Sequence, residues 1–249
     1  MLVSLKELSG ITVSAEDGDV GEVEDIYFDD RFWTIRFLVM DTHPWMPFSD
    51  KVLISPIAID NFTSKDHSLK VSMTRDAVKD SPKIEEHETV SREFEKTYFD
   101  YFGYGYYWYG DGAWGQYAYP TALYDSAVLP IENIQQQHIE SSNHLRSANE
   151  VNHYSIAALD GKKGYVKDFI WDTHTWSLRY LVVDTRDWLP GGKKVLISPD
   201  QFEKVNWGSK TVSCNINLAQ IKACPEYQAE KLNDPEYLQQ VRNKLQVNA

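Results

Sequence analysis

The chain has 249 residues, 42% hydrophobic and 25% charged, a composition that suits a globular protein with room for two domains of ordinary size. Its formal net charge of −12 argues against nucleic acid and anionic membrane surfaces as partners, because both would on average be repelled. No apolar run approaches the roughly 18–20 residues of a membrane span, and Met1–Glu7 lacks the basic-then-apolar pattern of a secretory signal, so a cytoplasmic location is expected.

From Ser4 onward, short apolar runs alternate with turn signals. Asp17-Gly18 marks a hairpin turn. Ile35, Phe37 and Val39 alternate with Arg36, Leu38 and Met40, so apolar residues occupy nearly both faces, as in a central, well-covered strand. The loop His43–Phe48 carries Trp45, read either as an interaction anchor or as a plug at one end of a small barrel. Leu69, Val71 and Met73 alternate as a late strand, and Thr74 is placed to N-cap a short helix reaching Lys79.

Residues 83–146 differ in character. Lys83–Glu88 is a charged linker. Ser91 is an N-cap for a helix over about 91–102, with Glu93 and Glu95 in the first turn and Phe94, Tyr98 and Tyr101 or Phe102 on one face. Residues 98–119 hold twelve aromatic side chains among 22, with Gly as the main spacer. Gly permits sharp bends, while Tyr and Trp present apolar faces with polar tips. Two readings follow. The segment packs over the barrels as an adhesive layer, or it forms an exposed interaction or self-association surface built from Tyr104, Tyr106, Tyr107, Trp108, Tyr109 and Trp114. Base stacking needs interleaved cations, and no Lys or Arg lies between Lys96 and Arg146. Residues 120–146 read as a polar linker.

Residues 147–225 then match residues 4–82 at a constant offset of 143, without a gap. Asp160-Gly161 falls on Asp17-Gly18, Gly164 on Gly21, Trp176 on Trp33 and Arg179 on Arg36. Trp188 falls on Trp45, and Lys194–Pro199 is identical to Lys51–Pro56. Cys214 replaces Val71 on a buried face, so Cys214 and Cys224 read as inert free thiols rather than a disulfide. Asn217 takes the N-cap place of Thr74. After Pro235 the tail reads as a helix with a stripe of Tyr237, Leu238, Val241 and Leu245.

The segments Ala15-x-Asp17-Gly18-x-x-Gly21-x-Val23-x-Asp25 and Trp33-x-x-Arg36-x-Leu38-Val39-x-Asp41-Thr42, with the Lys-Val-Leu-Ile-Ser-Pro strand, resemble the PRC-barrel family. The second copy fits better than the first. That family includes the cytoplasmic domain of the photosynthetic reaction-centre H subunit and the C-terminal domain of a ribosome-maturation factor. The resemblance covers about two-thirds of the chain and implies a mainly β fold. Two small PRC-like antiparallel β-barrels, residues 1–82 and 147–225, are joined by a helix and an aromatic, Gly-rich segment within 83–146, and a helical tail follows over 226–249.

The family is defined by a scaffold, and fold does not fix function. No GxSxG elbow, P-loop, Cys-His pair or metal-ligand spacing stands out, so no catalytic residue, metal or cofactor is expected. The repeated charges Asp25, Asp29, Arg36 and Asp41, with Asp168, Asp172, Arg179 and Asp184, are assigned to turns and salt bridges rather than catalysis. The expectation is a non-enzymatic interaction or assembly scaffold whose partner is another protein or a second copy of the chain. Its candidate surface comprises the six aromatic residues named above with Trp45 and Trp188. One alternative is a small-molecule or enzymatic site between the barrels, lined by Tyr106, Trp108 and the Trp loops. Another, by family analogy alone, is a role in assembling electron-transfer or photosynthetic complexes.

Overall fold

The structure is a computed structural model and describes residues 1–42, 52–63, 68–84, 90–124, 145–186 and 192–245. In chain order it contains strands β1 (Leu2–Ser4), β2 (Thr12–Ala15), β3 (Gly18–Asp29), β4 (Thr34–Asp41), β5 (Val52–Ile54), β6 (Ile59–Thr63) and β7 (Ser68–Val71). Helices α1 (Arg75–Lys79) and α2 (Arg92–Phe102) follow, then β8 (Leu145–Ser147) and α3 (Ala148–Val151). Strands β9 (Ser155–Ala158), β10 (Gly161–Asp172), β11 (Leu178–Asp184), β12 (Lys194–Ile197), β13 (Phe202–Asn206) and β14 (Thr211–Cys214) precede helices α4 (Leu218–Ala223) and α5 (Pro235–Leu245). Among the described residues no helix is long and apolar enough to cross a membrane.

The fold is mainly β, with two sheets, one of them curled into a half-barrel. The first has the order β5-β4-β3-β2-β7-β6 and the second β12-β11-β10-β9-β14-β13. In each, a twelve-residue strand is the spine. Strand β3 pairs with β4 along one edge and, along the other, with β2 at its start and β8 at its end. Strand β10 is served in the same way by β11, β9 and β1. A wholly antiparallel arrangement was the expectation from turn spacing, and one pairing in each sheet corrects it. Strands β2 and β7 run parallel, as do β9 and β14. Each of these pairs is separated in sequence by four intervening strands, and that length of chain lets the later strand return in the same direction.

The chain forms two compact units, Glu7–Ser147 and Met1–Lys6 together with Ala148–Ala249. Local chemistry fixes each spine. The β2–β3 hairpin turns just before Gly18, whose φ is +140°, a conformation that residues with a Cβ rarely adopt. Asp17 accepts a hydrogen bond from the Arg75 N–H (2.7 Å), tying this turn to α1, and Asp160 ties the β9–β10 turn to α4 through the Leu218 N–H (2.8 Å). Asp29 accepts from the Arg31 and Phe32 N–H groups, closing the β3–β4 turn, and Asp172 does the same for His174 and Thr175. Each turn places a tryptophan in the left-handed region, Trp33 at φ +50° and Trp176 at φ +56°. This is costly for a bulky residue and is offset by packing, since Trp33 stacks on Phe28 and Trp176 lies against Trp171.

Strand β4 is buried from Thr34 to Met40, so both of its faces are covered. Thr74 accepts from the Ala77 N–H at the head of α1, and Asn217 and Gln220 form a capping box on α4. Cys214 and Cys224 are free and buried, and burial pushes their thiols up to about 12 and about 11. Helices α2 and α5 also lie 143 residues apart from end to end, beyond the matching ranges 4–82 and 147–225. The buried residues of α5 are Tyr237, Val241 and Leu245.

Gly21 has φ +145°, and a Cβ there would meet the Asp41 carbonyl oxygen at 2.0 Å. Gly21→Ala is therefore expected to lower unfolding free energy by at least about 2 kcal/mol, measured by urea denaturation.

Candidate functional site

The site is built on one buried cation. Arg36, in the middle of β4, has no exposed side-chain surface and forms an ion pair with Asp29 at the end of β3 (3.0 Å). A second guanidinium nitrogen donates to the Ala113 carbonyl. The guanidinium carbon lies 3.6 Å from the Tyr107 ring centroid and 4.7 Å from that of Trp114. Its Nε finds no acceptor among the described residues, so the two ring faces supply part of the compensation that a desolvated cation requires.

The sequence folds over Arg36 because helix and glycines aim it there. The Ser91 hydroxyl caps α2 by accepting from the Phe94 N–H, and Gly103 ends the helix at φ +70°. The face carrying Glu95, Tyr98 and Phe99 turns inward. The Tyr98 hydroxyl accepts from the Ser55 N–H (3.2 Å) and donates to the Leu53 carbonyl (3.1 Å), fixing α2 against the end of β5, while its ring meets Phe37 edge-on. Beyond the helix, Gly112 and Gly115 exchange backbone hydrogen bonds. Gly115 has φ +68°, and a Cβ there would meet the Tyr109 carbonyl oxygen at 2.7 Å, so this fold-back requires glycine.

A second polar cluster sits behind Tyr107. Its hydroxyl donates to Glu95 (2.5 Å) and accepts from Arg92 (2.9 Å). Arg92 also pairs with Glu95 at 2.7 Å and lies 4.5 Å from the Trp108 ring centroid. Burial raises the Glu95 carboxyl from 4.5 to about 7, against Arg92, Tyr107 and Arg36, which favour the anion, and with Asp29, which disfavours it. Burial likewise pushes the Tyr107 hydroxyl well above its ordinary range, so it stays protonated and remains the donor to Glu95.

Of the sequence-nominated residues, Tyr104, Tyr107 and Trp114 are buried and act as packing rather than surface. Tyr106, Trp108 and Tyr109 are half-buried. Tyr106 stacks on Trp108 at 4.7 Å, presents its edge to Tyr109, and donates its hydroxyl to Asp100. Trp45 and Trp188 lie outside the described residues. Tyr117 and Tyr119, which sequence reasoning did not single out, are 45% and 40% exposed. It also read Glu95 only as a first-turn acid of the helix and passed over Arg92, although an Arg and a Glu three residues apart on an aromatic helix face was the available signal. Arg179, 143 residues after Arg36, is exposed. Among the described residues no cluster of three His, Cys, Asp or Glu side chains is disposed to hold a metal ion.

Arg36→Met leaves the Asp29 carboxylate buried without its cation and is expected to cost about 3–5 kcal/mol in thermal or urea unfolding. Glu95 makes a pH-dependent contribution. Between about pH 4.5 and 7 the folded protein holds a proton on this group that the unfolded chain has released. Stability from Glu95 therefore falls as pH rises through that window and is level above it, by a total of about 3 kcal/mol. Glu95→Gln should remove this slope, so its stability relative to wild type increases between pH 4.5 and 7.5 in paired urea titrations.

No protein-family model matches the chain, and no curated protein is significantly similar to it.

Proposed function

We propose that the protein is a non-enzymatic interaction or assembly scaffold of the PRC-barrel type, with two tandem PRC-like barrels arising from duplication of residues 4–82. The reading is supported by the gapless 143-residue register in the sequence and by the common strand order of the two sheets. The observation that carries the function is the half-buried group Tyr106, Trp108 and Tyr109, with the more exposed Tyr117 and Tyr119 in the same segment. The half-buried rings are held on a rigid base, because Trp108, which contacts both Tyr106 and Tyr109, is braced by Arg92 and by the buried Phe99. Rigid aromatic side chains with polar tips give contact area at low entropic cost, which is the property of an interaction hot spot. The partner is a protein or a second copy of this chain; for a partner other than a second copy, the chain's net charge of −12 favours a basic face.

The test is the double variant Tyr106→Ser/Tyr109→Ser, which spares Trp108. Wild type should self-associate in sedimentation or retain a protein after cross-linking, and the variant should lose that association at least about ten-fold with a melting temperature within a few degrees. A wild type that sediments as a monomer and retains no protein, or a variant that associates equally well, would overturn the reading.

A further inference from the structure

Each sheet takes its seventh strand from the start of the other half of the sequence. Strand β1 belongs to the unit of Ala148–Ala249 and pairs with β10, while β8 belongs to the unit of Glu7–Ser147 and pairs with β3. The two pairings are equivalent in register. Leu2 lies opposite Asp172 and Ser4 opposite Ile170, while Leu145 lies opposite Asp29 and Ser147 opposite Tyr27.

Side chains repeat the match. Each spine carries a bulge just before an aspartate, between Val23 and Asp25 and between Val166 and Asp168, and a bulge re-aims the side chain beside it. The Ser147 hydroxyl donates to Asp25 (2.5 Å), and the Ser4 hydroxyl donates to Asp168 (2.6 Å). Each aspartate fixes its other oxygen on the next backbone N–H, that of Ile26 or Phe169. The ends are held by separate contacts. Arg146 pairs with Asp30 at 2.6 Å, and Asn233 grips Leu2 through both its peptide N–H and its carbonyl.

We infer that the edges at Tyr27–Asp29 and Ile170–Asp172 are strand-accepting sites for a short extended segment of the pattern apolar–x–Ser. By them the two halves of the sequence complement each other as the protomers of a strand-exchanged dimer do. The inference is independent of the aromatic surface. The backbone ladder supplies affinity, and the serine–aspartate hydrogen bond supplies register. A cut between the halves therefore leaves a stable two-chain complex, because each fragment still holds the strand that completes the other's sheet.

The experiment uses the full chain with a protease site inserted within residues 125–144, cleaved under native conditions and followed by size-exclusion chromatography with light scattering. The expected result is one peak at the mass of the intact chain, with both fragments present at micromolar concentration. In the double variant Val3→Pro/Arg146→Pro, which interrupts both exchanged strands, the cut fragments should separate at concentrations at least about ten-fold higher than any at which wild type separates. Should that variant fail to fold, Ser4→Ala/Ser147→Ala keeps both ladders and removes only the hydroxyls. Exchange of its cut fragments with labelled ones should quicken by about ten-fold or more. Fragments of the cut wild type that part at micromolar concentration would overturn the inference. So would a proline variant that holds as tightly as wild type, or serine substitutions that leave the exchange rate unchanged.

Discussion

A guanidinium buried without water must find an anion, acceptors and polarisable surface within a few ångströms, and around Arg36 those requirements organise an entire segment. Asp29 supplies the anion, but the same carboxylate also closes the β3–β4 turn through the Arg31 and Phe32 N–H groups. Turn geometry and charge neutralisation are therefore one constraint. The remaining demand falls on residues 107–114, which bring a tyrosine face, an indole and a carbonyl over the cation. An aromatic run that would otherwise gain little from any single conformation acquires a fixed seat.

The second cluster follows from the first. Placing Tyr107 over Arg36 carries its hydroxyl inward, where it needs a partner, and α2 provides Glu95 and Arg92 one turn from its cap. Arg92 then reaches Trp108 on the outer side. Charge thus alternates with rings from the sheet to the surface: Asp29, Arg36, Tyr107, Glu95 with Arg92, and Trp108. Arg36 is paired with Asp29, and Arg92 with Glu95, so each guanidinium has a carboxyl partner as well as a ring beside it. The half-buried rings of Tyr106 and Tyr109 take their order from this stack through Trp108.

Much of this was legible in the sequence, and the reasons it stops are physical. The turn glycines, the covered strand with Arg36 at its centre, the caps at Thr74, Ser91 and Asn217, and the buried Cys214 could be read because each rests on local chemistry. The parallel pairings could not, since alternation along a strand does not encode the direction of its neighbour. The correspondence of α2 with α5 was hidden as well. Between them only Glu93 and Glu236 are identical, and the inward residues change from Glu95, Tyr98 and Phe99 to Tyr237, Val241 and Leu245. The aromatic segment was visible as composition. Which of its rings point inward depended on Arg36, seventy residues upstream and indistinguishable in sequence from Arg179, which is exposed.

The exchanged strands also set an order of events during synthesis. Strand β3 ends at Asp29, and the strand that covers its far edge begins at Leu145, so more than a hundred residues must be made before that edge is closed. At the usual 5–20 residues per second the delay is roughly 6–25 seconds, far longer than the microseconds in which a hairpin forms. For that interval the nascent chain carries a formed spine with an open edge, a natural site for wrong pairing. Asp29 and Asp30 lie at that edge, and Asp25 flanks it. The carboxylates that later hold Ser147 and Arg146 are thus positioned to repel other acidic chains while the edge waits.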